Sequence, residues 1–175
     1  MEIGKHTGDN FGGICEIWIA GGCNLPDVRF NSSVFRFASP KPIESFFDKV
    51  EFQRFSAKWK ANEVETEHGT YYENEIVFKV SKFRPDVNAY LEELQGKNIA
   101  LMLVLQNGDK LIIGSKLNPL RLLTSFQSGA KPTDYNHYEF KIFGSTASRS
   151  AELQVVEGVL GDFDTTNDFE TKDWL

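Results

Sequence analysis

Apolar and polar positions alternate with period two along several stretches of this chain. From Thr70 to Val80 the residues Tyr72, Ile76, Phe78 and Val80 share one side, and Glu73, Glu75 and Lys79 share the other. That pattern predicts a strand with one buried face and one wet face. Val50 to Ala61 reads the same way, with Phe55, Ala57, Trp59 and Ala61 in phase. Between the two, the acidic stretch from Glu63 to Gly69 predicts a hairpin loop. Tyr138, Phe140 and Ile142 give one more alternating strand, ending at Gly144. Ile99 to Leu105 is apolar at every position, which predicts a central strand buried on both faces. Asn107-Gly108 then predicts a tight turn with positive φ at both residues, with Leu111 to Ile113 returning as the partner strand. Shorter strands are predicted in Phe11 to Ala20, bracketed by Gly12-Gly13 and Gly21-Gly22, and in Val34 to Phe37, closed by Ser39-Pro40-Lys41-Pro42. A last strand is predicted in Leu153 to Leu160.

One segment has a helical period. Val87, Tyr90, Leu91 and Leu94 recur at i, i+3, i+4 and i+7, which makes a single apolar stripe. Pro85 suits the first turn, where its missing N–H has no partner to lose, and Gly96 suits the left-handed residue that ends a helix. The pattern therefore predicts an α+β chain, mainly β: an antiparallel sheet with one packed helix over Pro85 to Gln95.

The 175 residues are enough for one core and short for two. We expect one β-rich domain over residues 1–160, with a flexible N-terminal segment, and a tail over 161–175. The tail has its own character: Asp162, Asp164, Asp168, Glu170 and Asp173 face a single Lys172, with Phe163, Phe169 and Trp174 interleaved. It is too acidic to pack alone and too aromatic for a plain linker. The expected role is docking on a neighbouring subunit, with Phe163, Phe169 and Trp174 as anchors and Asp162, Asp164 and Asp168 against a basic rim. Fifteen Phe, five Tyr and three Trp fit strands and large packed surfaces. A net charge of −6 argues against a general nucleic-acid-binding surface. Met1 to Asn10 is polar and Ile99 to Leu105 is far too short to span a bilayer, so the expectation is a chain made in the cytoplasm, with no membrane contact.

Candidate chemistry is sparse. There is no nucleophile elbow, phosphate loop, dinucleotide glycine motif or H-E-x-x-H pair. His6, His68 and His137 are far apart and sit in a terminus and two turns. Cys15 and Cys23 lack further ligands at zinc spacing; eight residues apart, they could meet across a hairpin, but two reduced thiols are expected. Oxygen donors at Asp162, Asp164, Asn167, Asp168 and Glu170 lack the spacing and glycine of a calcium loop. Glu73 and Glu75 share the wet face of a strand, so solvation explains them better than a glycosidase pair. No cofactor or metal is expected, and no enzyme activity. Tyr71, Tyr135 and Trp174 are the candidates for a sugar-binding surface.

A longer run carries a resemblance. Gly69-Thr70-Tyr71-Tyr72 enters a strand, Phe83-Arg84-Pro85 opens the helix, and Gln106 to Ser115 forms the hairpin. Asn118-Pro119-Leu120-Arg121 follows, then Ser128-Gly129-Ala130, Asp134, Asn136, Tyr138, Phe140 and Phe143-Gly144. This stretch resembles small structural proteins of tailed phages and prophages of Bacteroidetes, crAss-like phages among them. The resemblance covers under half of the chain. It implies a virion protein of the tail or the head-to-tail connection, with a β-sandwich or barrel-like, tail-tube-like fold. It also implies assembly with copies of itself and neighbouring virion proteins into a ring or tube, with passage of DNA through a lumen. The alternative reading of the residues is a monomeric binding module for carbohydrate or protein.

Overall fold

The computed structural model describes residues 12–22, 30–31, 34–36, 45–131, 134–147 and 151–154. The elements in chain order are β1 (Ile14–Gly21), β2 (Phe30–Asn31), β3 (Val34–Arg36), β4 (Asp48–Val50), β5 (Lys58–Thr66) and β6 (Gly69–Ser81). Then come α1 (Pro85–Leu94), β7 (Ile99–Leu105), β8 (Lys110–Ile113), β9 (Arg121–Gln127), β10 (His137–Thr146) and β11 (Ala151–Gln154). They form two sheets: seven strands in the order β2-β3-β11-β8-β7-β1-β4, and four in the order β5-β6-β10-β9. Every pair is antiparallel except β3 with β11. The chain is thus mainly β with one short helix.

The core follows from the alternation. Ile76, Phe78 and Val80 of β6 sit beside Tyr138, Phe140 and Ile142 of β10, in the register Phe78 to Phe140. The Phe78 and Phe140 rings stack with centroids 4.8 Å apart. The same cluster takes in Ile17 and Ile19 of β1, Ile99, Leu101 and Leu103 of β7, and Val87 and Leu94 of α1. Residues of both sheets and the helix therefore share one core. Ala100 and Met102, on the other face of β7, belong to a second cluster with Ala20, Phe47 and Ile112. β7 is buried on both faces, as its unbroken apolar run predicts.

The helix forms where its stripe, proline and glycine place it. Val87 and Leu94 are buried, and Tyr90 and Leu91 pack against the core. Gly96 has φ of +71° just past the end. Tyr138 donates from its hydroxyl to Asn88 Oδ1 at 2.6 Å, tying α1 to β10. At the other end, a Cβ on Gly21 would lie 2.6 Å from Leu94 Cδ2, so glycine is what lets the helix approach β1 this closely.

Four expectations change. Val50 to Ala61 is not one strand: β4 ends at Val50 in one sheet and β5 starts at Lys58 in the other. Between them the chain turns, with the Ser56 hydroxyl donating to Gln53 O at 2.6 Å and accepting from Lys79 N at 3.1 Å. Phe55 takes φ of +62° there and is exposed, not on the buried face. The acidic stretch from Glu63 is strand as far as Thr66, because it pairs with β6 and only Glu67 and His68 form the turn. In the Asn107-Gly108 hairpin, Gly108 alone has positive φ, and Gly108 N donates to Leu105 O. That geometry is a three-residue loop ending in a left-handed glycine. Last, β9 was not predicted at all. The end strands also shift: β1 runs from Ile14 to Gly21, β10 extends to Thr146, and β11 begins at Ala151. His6, Cys23, Phe37 and the tail lie outside the described residues.

Candidate functional site at a sheet edge

An open sheet edge presents unpaired backbone donors and acceptors, and proteins that stay apart blunt such edges with shortness or charge. Among the described residues, three of the four edges are blunted. β2 has two residues and β4 has three, with Asp48 and Lys49 among them. Lys49 is held by an ion pair to Glu16 and lies over the Trp18 ring, 5.4 Å from its centroid. The bond from Lys49, helped by one from Trp18, keeps the Glu16 carboxyl below the ordinary value. β5 is long but carries Lys58, Lys60, Glu63 and Glu65.

The fourth edge, β9, is seven residues long with the sequence RLLTSFQ, and Arg121 is its only charge. Among the described residues it pairs with β10 on one side alone, in the register Tyr138 to Phe126 and Phe143 to Arg121. Leu123 is 58% exposed and Phe126 is 42% exposed. Phe126, exposed Phe83 and buried Tyr138 form an aromatic group, with centroids 5.5 Å apart for Phe83–Phe126 and 5.0 Å for Phe126–Tyr138. Phe83 reaches it from the turn into α1, where Lys82 takes φ of +67° and bonds Asn136 O through its N–H.

A groove of about 760 Å³ runs between α1 and β9, lined by Leu91, Glu92 and Lys97 on one side and by Arg121 to Thr124 on the other. The pairing of Ile99 with Leu120 brings Lys97 close to Arg121, and the Tyr138–Asn88 bond brings the start of α1 close to Phe126. The groove is thus basic at its Lys97–Arg121 end, and the aromatic group of Phe83, Phe126 and Tyr138 lies outside its lining, toward the start of α1. Arg121 is exposed and has no ion pair among the described residues, whereas Lys97 meets Glu93 at 3.5 Å. On the other flank of α1 the Tyr90 hydroxyl has no hydrogen-bond partner among the described residues. Burial, then the carboxylates of Asp48 and Glu93, push its pKa upward.

The structure separates the other candidate residues. His68 is exposed in the β5–β6 turn, and His137 opens β10 with Nδ1 3.0 Å from Tyr135 O. Cys15 is exposed on β1. Glu73 and Glu75 are on the outer face of β6, as their alternation predicts. Glu75 pairs with Lys141, and that bond lowers its pKa. Tyr135 lies just before His137, which pairs with Ser81, while Tyr71 is at the other end of β6, so these two do not make one platform. Trp174 and the docking residues Phe163, Phe169, Asp162, Asp164 and Asp168 lie outside the described residues. Among the described residues, no three of His, Cys, Asp and Glu come together to hold a metal ion, and no helix is long and apolar enough to cross a membrane.

No family model, curated protein or solved structure matches this chain. The site is therefore defined by its own geometry: a long edge strand with one charge, exposed aromatics at one end and a helix alongside. Other proteins with an open edge strand take up extended segments through main-chain bonds to the edge and side-chain contacts beside it.

Proposed function

We propose that the chain is a virion structural protein of a tailed phage, a subunit that oligomerises into a ring or tube in the tail or the head-to-tail connection. The single observation behind this reading is β9: three edges are short or charged and this one is long and nearly uncharged, with Leu123, Phe126 and Phe83 exposed beside it. An edge of that kind fits a subunit that acquires a neighbour. The resemblance carried by Gly69 to Gly144 supports the setting. In this reading the two sheets make a sandwich of the tail-tube type, with α1 between β1 and the groove. Its partners are copies of itself and neighbouring virion proteins, and rotation about an axis closes a head-to-tail contact into a ring.

The test is quantitative mass spectrometry of purified particles, counting this protein against the major capsid protein. A fixed count per particle is expected, a low multiple of a ring symmetry for a connector and a much larger one for a tube. Absence from pure particles overturns the proposal and favours the monomeric binding module.

A further inference from the structure

We infer that the groove between α1 and β9 is the docking site for residues 161–175 of a second copy, whose Phe163 to Asp168 add as an antiparallel strand to β9. The inference rests on the self-assembly reading and names its contact.

Two observations carry it. The first is the edge itself, with no further strand on β9 among the described residues and a helix flanking it. The second is order and charge. Arg121 at one end and Phe126 at the other are five residues apart, so they project from opposite faces of the strand. An antiparallel partner with an aromatic residue five positions before an acid matches that arrangement. Phe163 and Asp168 have this spacing. Setting Phe163 against Phe126 puts Asp168 against Arg121 and Thr165 against Thr124, pairs that favour antiparallel strands. No like charges then face each other along β9. Glu92 is the one acidic group of the groove lining, against Lys97 and Arg121. A parallel strand with Asp164 at Arg121 and Phe169 at Phe126 has the same spacing, but antiparallel pairing is the more stable kind and continues the pattern of the sheet.

That the tail comes from a second copy follows from the self-assembly reading, in which each subunit meets a neighbour head to tail.

The test uses the full chain. In sedimentation velocity, Arg121→Glu and Asp168→Arg should each weaken self-association about tenfold or more. The double variant should recover most of the loss, while Asp164→Arg should have a smaller effect than Asp168→Arg. Unchanged association in the single variants, or no recovery in the double, overturns the inference. A larger effect at Asp164 overturns the antiparallel register. A fluorescein-labelled peptide of residues 161–175, titrated with the full chain, reads the groove independently of oligomeric state. Saturable binding weakened by Arg121→Glu supports the site even if the chain proves monomeric, an outcome that removes the ring or tube alone. Absence of peptide binding overturns the site while leaving assembly by another surface intact.

Discussion

The two edges of the four-stranded sheet are built on the same core and differ in almost everything else. β5 is anchored inward: Trp59 donates from Nε1 to Asn74 Oδ1 at 3.1 Å, and Asn74 donates to the Thr146 hydroxyl at 2.7 Å, so a buried polar link runs from β5 through β6 to β10. Outward, β5 shows lysines and glutamates. Among the described residues β9 has no such link. It is held by its ladder to β10, by the half-buried side chain of Leu122, and by buried Leu120 at its start. The lesson is that edge strands are not defined by burial alone. One edge is finished by charge and a buried hydrogen-bond chain, and the other is left able to take a further strand.

The comparison can be broken at four levels. Phe140→Ala removes the stacked ring beneath both edges and should cost about 4 kcal/mol of stability, measured by urea denaturation. Both edges should fail together. Asn74→Ala should cost about 2 kcal/mol, because the Trp59 N–H and Thr146 hydroxyl lose a buried partner. Its signature is a red shift of tryptophan emission, with amide exchange in β9 unchanged. Gly144→Ala does the reverse. The new Cβ would meet Leu120 Cδ2 at 2.8 Å and Pro119 O at 3.1 Å, which should cost about 1–2 kcal/mol and speed exchange in β9 before β5. Leu123→Lys has the smallest effect on folding, within about 0.5 kcal/mol, since the side chain is mostly exposed. It should nevertheless weaken self-association, by giving β9 the charge that β5 already has. A variant that associates as before would show that the missing charge has no consequence.

Sequence patterns were informative wherever one face of an element is buried. The stripe from Val87 to Leu94, the alternation from Tyr72 to Val80 and the solid run from Ile99 to Leu105 all became the elements they predict. β9 left no such trace, because its ladder holds it while six of its seven residues are exposed. With Leu122 and Leu123 adjacent and Thr124 and Ser125 following, no period of two is imposed by a core. The groove was illegible for the same reason, since it depends on the Ile99–Leu120 bridge and the Tyr138–Asn88 bond between residues distant in sequence. The turn that divides β4 from β5 hid inside an apparently continuous alternation. Phe55 keeps the phase of Ala57 and Trp59, yet its backbone is left-handed and its ring faces outward over Arg54. The aromatic and acidic content of 161–175 was plain from composition, whereas the docking place proposed for it rests on the placement of Arg121 and Phe126.

β7 has apolar side chains buried on both faces and paired neighbours on both sides, β1 and β8. No local opening can expose its amides without parting two strands and two clusters at once. Their hydrogen exchange therefore reports the free energy of unfolding the whole molecule. β9, with a single neighbour among the described residues, exchanges by fraying. The ratio of the two rates is an internal clock for assembly: a strand added to the edge slows β9 toward the rate of β7 while leaving β7 itself to be set by global stability.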